Sequence, residues 1–372
     1  MKNARFLIVA GEVSGDKHGS RLVKELKKRG SFHISVLGGK NMAKYADHLE
    51  EDLVSRSVVG FFEVVKFLPY FKSLKSRINR KYFSEKSPDR IDALVLIDYP
   101  GFNIRLAKDA SAQGIPVYYY ITPQVWAWGA KRAALLAKIC KKIFCVFEFE
   151  KDFFEQEGGN AEFVGHPLLE SLPEKPDIKQ LNLDVCLNSS EPVLALLPGS
   201  RVKEIERHLK IMLAASDGTG LVPVVARPQH IPAEFYRKIA GEDIRMTTVS
   251  YALLARASVA LVKSGTSTLD AAVAGVPFAT IYRVFPLTYV MAIRLIKIPY
   301  ISMVNILAGE ELVPELIQSD FNENKLRETI FKVMDSSEKI KKDFVQIRKK
   351  LGGPGASART AEAIILSLKE EL

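Results

Sequence analysis

"RFLIVAGEVSGDKHGSRLVKEL", residues 5–26, runs from an apolar stretch through a glycine-spaced turn into an amphipathic segment. The run Phe6-Leu7-Ile8-Val9, bounded by a turn, reads as a buried strand, and a strand that opens into a helix through glycines begins a parallel α/β sheet. The turn departs from the dinucleotide fingerprint G-x-G-x-x-G. Its glycines stand at 11, 15 and 19, and two acids, Glu12 and Asp16, lie among them.

The alternation continues. Short β-branched runs predict strands at 6–10, 34–37, 93–98, 117–121, 143–147 and 162–164, with amphipathic segments such as 19–28 and 102–113 between them. This pattern implies a parallel sheet covered on both faces. After "VGHP" (164–167) the polar, turn-rich stretch 171–192 reads as a linker, and a second series begins at 193–197, 222–226, 247–249, 259–262 and 278–282. The expected fold class is α/β, with a first Rossmann-like domain over 1–170 and a second over 171–340. A helical segment over 341–372, broken at "GGPGAS" (352–357), follows. At 372 residues the chain is long enough for two cores. Ligands of such sheets bind at the carboxyl ends of the strands.

Composition narrows the function classes. With 47% hydrophobic and 26% charged residues the chain is an ordinary folded protein, neither disordered nor fibrous. The three cysteines, Cys140, Cys145 and Cys186, form no disulfide framework and no C-x-x-C pair, which suits a reducing cytoplasm. No run of about 18 uncharged apolar residues predicts a spanning helix, and "MKNARFLIVAGE" reads as a first strand rather than a signal peptide. The net charge of +10 points to an anionic partner: nucleic acid, an anionic membrane or a phosphorylated substrate.

Four stretches carry candidate chemistry. "LALLPGSRVKEIERHL" (194–209) is strand, turn and helix, with Ser200 and Arg201 at a helix N-terminus able to receive a phosphate; an ordinary βα turn with a solvated arginine fits equally. "ALVKSGTSTLDAAVAGVPFATIYR" (260–283) repeats the pattern, with Ser264, Gly265 and Thr266 in the turn and Asp270 one turn into the helix, suited to a ribose diol. Together they read as a nucleotide-diphosphate site. In "ALVLIDYPGFNIRLAK" (93–108) Asp98 ends an apolar strand, either as a general base facing the crevice or as a helix cap or ion-pair partner. "YYITPQVWAWGAKR" (119–132) holds both tryptophans of the chain, as core or as a platform for an apolar or sugar substrate, and His166 is either a base or a structural hinge.

"SVVGFFEVVKFLPYFKSLKSRINRK" (57–81) has an apolar stripe at Phe67, Phe71, Leu74 and Ile78, and six basic residues with no acid from Lys66 to Lys81. An aromatic apolar face beside a cationic one suits a membrane interface. An ordinary helix packed on the sheet is the alternative. The interfacial reading singles out Phe61, Phe62, Phe67, Phe71, Lys72, Lys75 and Arg77.

These stretches, in order, resemble the lipid-A-disaccharide synthase family. The series is "AGEVSGDKHG", "LIDYPGFN", "YYITPQVWAW", "VGHPL", "LLPGSRVKEI", "SGTSTLD", "IYR", "NILAGEELVPELIQ" and "GGPGASARTAE", spread from residue 10 to residue 362. The resemblance implies a GT-B architecture, two Rossmann-like domains facing across a cleft, in an inverting glycosyltransferase. It implies transfer from UDP-2,3-diacylglucosamine to 2,3-diacylglucosamine 1-phosphate (lipid X), giving a β-1,6-linked disaccharide and UDP. A peripheral enzyme on the cytoplasmic face of the inner membrane, in contact with anionic lipids, is then expected. A nucleic-acid partner is not expected.

Under the resemblance Asp98 matches the base, Arg201 the group that stabilises the leaving UDP, and Arg283, Asn305, Glu311 and Glu315 positions near the donor. Gly11, Glu12, Ser14, Gly15 and Asp16 become an acceptor-side loop, the glycines admitting a sugar close to the backbone. Asp270 stands where related sequences commonly carry Glu. No D-x-D occurs in the chain, which fits a reaction without metal or other cofactor. A different UDP-sugar enzyme on the same fold, such as an epimerase, is the rival. The final helix is expected either to pack back on the first domain or to exchange between partners of a homodimer.

Overall fold

The computed structural model describes residues 3–57, 64–173, 175–286, 289–290 and 298–370. Two compact units result, one from residues 1–170 with 351–372, the other from 171–350.

The first unit is built on seven strands: β1 (Arg5–Ala10), β2 (His33–Gly38), β3 (His48–Asp52), β4 (Ala93–Ile97), β5 (Val117–Tyr120), β6 (Lys142–Cys145) and β7 (Ala161–Phe163). They lie in the order β3-β2-β1-β4-β5-β6-β7, and every pairing is parallel. The central β1 and β4 are apolar because helices cover both their faces, and Phe6 through Ala10 and Ala93 through Ile97 are fully buried. β3, "HLEED", escaped the sequence pattern because it is an edge strand whose acids receive partners from one side (below).

The glycines at 15 and 19 lie on the inner face of the helix Val13–Arg29. A Cβ on Gly15 would stand 3.3 Å from the Ala10 Cβ, and one on Gly19 would stand 2.6 Å from the Met42 sulfur. A Cβ on Gly11 would fall 2.3 Å from the Tyr99 ring. The i, i+4 spacing therefore lets a helix sit closely on the sheet. The expectation that these glycines admit a sugar is corrected.

The second unit has six strands: β8 (Val193–Leu197), β9 (Val222–Ala226), β10 (Met246–Thr247), β11 (Val259–Lys263), β12 (Phe278–Tyr282) and β13 (Glu315–Ile317). Their order is β10-β9-β8-β11-β12-β13, again parallel throughout. β13 was not legible because its three residues are too few for a period.

The expected domain boundary at 340/341 falls inside the helix Ser337–Lys350. That helix belongs to the second unit: Ile340, Phe344 and Ile347 are buried, and the Phe344 ring stacks on Phe278 at 5.6 Å. The return comes at Leu351, and the helix Ala356–Lys369 packs on the helix Val13–Arg29 of its own chain. Arg359 fastens it, donating from Nε and Nη2 to the Val164 carbonyl (2.9 and 2.6 Å), from Nη1 to that of Pro354 (2.8 Å) and from Nη2 to that of Gly353 (2.9 Å). Glu170 accepts from the Ser357 N–H and hydroxyl at 2.7 and 2.8 Å.

The basic segment forms the helix Val64–Ile78 and a π-helical turn, Asn79–Phe83. Phe71, Leu74 and Ile78 of its apolar stripe pack inward. Leu74 and Ile78 are buried in the core, and the Phe71 ring lies 5.6 Å from Phe102 and 6.4 Å from Tyr99. Its cations find acids from other elements: Lys75 pairs with Asp109 at 2.7 Å, Arg77 with Glu51 at 2.5 Å, and Lys81 with Glu50 at 2.6 Å. Phe71, Lys75 and Arg77, expected at a membrane, thus belong to the domain's own packing. The charge run had no acid only in sequence, since β3 supplies two from across the fold. Phe61 and Phe62 lie outside the described residues, as does the Phe67 side chain.

Replacing Arg359 by alanine leaves the Val164 carbonyl and its neighbours without their charged donor. Stability is expected to fall by about 2 kcal/mol, read as a lower urea midpoint; an unchanged midpoint would show that the terminal helix is held by packing alone.

Candidate functional site

Asp98 stands at the carboxyl end of β4, and its backbone is unusual. Asp98 and Tyr99 have φ of 45° and 50°, and Ile121, just past the end of the neighbouring β5, has φ of 59°. Non-glycine residues in the left-handed region cost free energy and persist only where surroundings hold them. Here the holding groups are visible. The buried Asn103 amide donates to the carbonyls of Ile97 (3.2 Å) and Asp98 (2.8 Å), and the Tyr119 hydroxyl donates to the Asp98 carbonyl at 2.6 Å. The Asp98 side chain is half-buried. Burial, reinforced by the negative charge of Glu12, pushes its carboxyl up to about 7. Glu12 is the N-cap residue of the helix Val13–Arg29, where its side chain makes no capping bond. The structure brings Glu12 and Asp98 together at adjacent strand ends. Ser14 is exposed.

Asp16 is placed differently. It is 2% exposed, and its carboxylate accepts four bonds: from Gly39 N (2.8 Å), Met42 N (3.0 Å), Asn41 N (3.1 Å) and the Asn41 amide (2.7 Å). It closes the turn after β2 and caps the short helix Lys40–Ala43. The expected contact with a substrate is corrected, because no acceptor position of this carboxylate faces outward.

Trp126 is half-exposed, and its indole N–H donates to Glu150 at 3.0 Å. Glu150 is 1% exposed, and it also accepts from Val146 N and Phe147 N at 3.2 and 3.3 Å. Burial pushes its carboxyl up to about 7, against the pull of the indole donor. The ring of Trp126 meets Phe149 edge-on at 5.0 Å, so what remains for a ligand is apolar surface. His166 accepts from Leu168 N through Nδ1 at 3.1 Å. Burial lowers His166 to about 3 and His18 to about 4, so both stay neutral at pH 7.

In the second unit the turn after β8 carries Gly199 at φ 127°, then Ser200 and Arg201. Two of its N–H groups are already occupied. Glu204 in the helix Val202–Ser216 turns back so that its Oε2 accepts from Ser200 N (3.0 Å) and Arg201 N (3.3 Å). Its Oε1 meets Lys263 Nζ at 3.1 Å. Burial works against the charge of Glu204, but Lys263, the Ser200 N–H and the Arg201 charge hold its carboxyl below the usual range. The backbone donors expected to receive a phosphate at residues 200 and 201 therefore hold an internal carboxylate. Arg201 itself is 73% exposed and stands at the outer limit of an ion pair, 3.9 Å from Glu204.

After β11 the turn is open. Gly265 (φ 148°) and Thr266 are exposed, Asp270 is half-buried in the first turn of the helix Ser267–Ala274, and the Ser264 hydroxyl donates to the Ile301 carbonyl at 2.8 Å. His208, fully buried, links the turn after β8 to the chain just past β12. Its Nδ1 lies 2.8 Å from the Pro198 carbonyl and its Nε2 accepts from Arg283 N at 3.2 Å.

Three further residues expected near the donor have partners within the chain. The Arg283 guanidinium binds the carbonyls of Gln318 (3.0 Å) and Phe321 (2.5 Å). Asn305 is fully buried: its Oδ1 accepts from Leu312 N and Val313 N, and its amide donates to the Val313 carbonyl and to Glu315. Glu315 accepts from Ile301 N (2.9 Å) and Ser302 N (2.8 Å) as well. Glu311 is exposed. Sequence reasoning missed Asn103, Glu150, Glu204, His208 and Lys263. A Glu three residues after the N-cap of 194–209 was the one available signal, since that is the capping-box spacing. Among the described residues no group of three or more His, Cys, Asp or Glu is placed to hold a metal ion.

Two parallel Rossmann-like sheets in one chain, each with candidate ligand turns at its strand ends, define the GT-B fold class. Over 99% of its length the chain resembles the calicheamicin glycosyltransferase, with a TM-score of 0.62, 16% identity and 99% of that chain covered. It resembles the UDP-GlcNAc 2-epimerase from Neisseria meningitidis equally well, with a TM-score of 0.61, 12% identity, and 99% and 100% of the two chains covered. Transferases and epimerases share this architecture, so the fold alone does not select the reaction.

Sequence does. Residues 6–367 match the lipid-A-disaccharide synthetase family, and the chain belongs to that family. Lipid-A-disaccharide synthase 1 of Legionella pneumophila (strain Philadelphia 1) is 34% identical over 390 residues, covering 100% of both chains. The lipid-A-disaccharide synthase of Nitrosococcus oceani is 35% identical over 377 residues, 98% of this chain and 96% of the relative.

Asp16→Ala leaves three turn N–H groups without an acceptor. It is expected to cost about 3 kcal/mol, seen as a lower denaturation midpoint, while nucleotide affinity of the folded fraction stays within twofold. A stable variant with weakened ligand binding would return Asp16 to the site.

Proposed function

We propose that this chain transfers 2,3-diacylglucosamine from UDP-2,3-diacylglucosamine to 2,3-diacylglucosamine 1-phosphate, forming the β-1,6-linked disaccharide 1-phosphate and UDP. Family membership supports the reaction, and one observation carries the mechanism. Asp98 combines a half-buried position at a strand end, a backbone locked by Asn103 and Tyr119, and a carboxyl raised to about 7. A base works best when its pKa lies near the operating pH.

In this reading the acceptor 6-hydroxyl gives its proton to the Asp98 carboxylate as its oxygen attacks the anomeric carbon. The bond from that carbon to the UDP oxygen breaks, and its electron pair leaves on the β-phosphate. A single displacement inverts the anomeric centre. Arg201, exposed at the head of its helix, and the open Gly265–Thr266 turn face the growing charge of the leaving group. Asp270 accepts from the ribose hydroxyls. Glu12, Ser14 and the apolar face of Trp126 line the acceptor side. We propose that no metal takes part, the arginine and turn donors supplying the positive field. Dialysis against a chelator is expected to leave the rate unchanged.

The acyl substrates support a location on the cytoplasmic face of the inner membrane. Among the described residues no helix is long and apolar enough to cross a membrane. In this reading attachment is peripheral, and what the basic helix offers is Leu68, 46% exposed, with exposed Lys72 and Arg80.

Asp98→Asn should lower kcat by 10²–10⁴-fold, about the contribution of a positioned base, with UDP affinity unchanged; near-normal turnover would remove Asp98 from the role. In the wild type kcat/KM is expected to rise with pH and level off above about 7, because the base acts only when ionised. Glu12→Gln, which removes the charge that raises Asp98, should move that inflection to lower pH. For the membrane, Lys72→Glu with Arg80→Glu is expected to weaken binding to phosphatidylglycerol vesicles, whereas unchanged partitioning would place the lipid contact elsewhere.

A further inference from the structure

Within the second unit, a carboxylate sits where a phosphate was expected. Glu204 fills the N–H pair of Ser200 and Arg201, at 3.0 and 3.3 Å, and its side chain is 16% exposed. Left alone, this charge would repel an incoming diphosphate and hold the Arg201 guanidinium on itself. Lys263 meets the second oxygen at 3.1 Å, and Arg201, 73% exposed, stands 3.9 Å from that same oxygen, so the nearer cation carries most of the neutralisation. Lys263 is the last residue of β11, directly before the open Ser264–Thr266 turn. Its ammonium lies 4.0 Å from where a Cβ on Gly265 would stand and 5.4 Å from the centre of the Tyr282 ring. One cation thus reaches from the second ligand turn to the acid that closes the first.

We infer that Lys263 is a positioning residue of the donor site: by neutralising Glu204 it lets a capping carboxylate coexist with a bound diphosphate and leaves Arg201 available to the phosphates. The inference rests on the nucleotide-donor reading given above. It assigns the pair a task that a helix cap alone does not need, since a glutamine at the same place accepts the same N–H bonds without charge.

The test is calorimetric binding of UDP and of uridine to the full chain and to three variants. Lys263→Met should weaken UDP binding about tenfold, the scale of one partly screened charge at close range, and leave uridine binding unchanged. Glu204→Gln should bind UDP as tightly as the wild type or more tightly. The double variant Lys263→Met/Glu204→Gln should recover to within about twofold of the wild type, because the charge that needed neutralising is gone. Unchanged UDP affinity in Lys263→Met would overturn the inference. So would a double variant as weak as the single one, which would mean a direct phosphate contact, and so would equal losses for UDP and uridine, which would mean a structural role. A wild-type protein that binds no UDP would overturn the donor-site reading itself, a separate outcome.

Discussion

A strand that turns into a helix at the edge of a parallel sheet leaves backbone N–H groups that no helical carbonyl can reach. Buried, each costs free energy unless an acceptor is found, and this chain meets the constraint with carboxylates. Asp16 receives the turn after β2, Glu150 the turn after β6, Glu204 the turn after β8, and Glu315 the segment ahead of the helix Met303–Ala308. The terminal helix repeats the device, with Glu170 on Ser357 N. A carboxylate at a helix N-terminus is favoured twice, by the hydrogen bonds and by the dipole.

The functional groups stand out as the departures from this rule. The carboxyl of Asp98 faces the acid Glu12, and what holds its residue in place is Asn103 and Tyr119 acting on its carbonyl. Locking the backbone from behind leaves the carboxyl itself for chemistry. In the second unit the glycine and threonine of the Ser264–Thr266 turn are exposed. Arg201 heads its helix 73% exposed and 3.9 Å from Glu204, with Lys263 the nearer cation at 3.1 Å. These features follow from which acid caps which turn.

Much of the fold was readable from residues alone. Strands β1, β4, β8 and β11 are buried on both faces, and continuous apolar runs announce that burial directly. The edge strand β3 and the three-residue β13 carry no such run, because one is half-solvated and the other too short. Sites were less legible for a definite reason. An acid beside a glycine turn looks the same in sequence whether it caps the turn or binds a ligand, and Asp16, Glu315 and Asp98 separate only when their hydrogen-bond partners are known. Asn305 and Arg283 are similar cases, polar residues in family motifs whose bonds go to their own chain. The basic run from Lys66 to Lys81 misled by the same route, since Glu50, Glu51 and Asp109 lie far away along the chain.

The account therefore turns on one carboxyl differing from the others that crowd these strand ends. The most direct measurement is a titration of Asp98 by carbon-13 NMR of aspartate-labelled protein, assigned by the Asp98→Asn variant. A midpoint near 7 is predicted, from burial and the neighbouring Glu12. A midpoint near 4, the ordinary value for an aspartate at about 3.9, would contradict it and leave Asp98 as one more solvated acid.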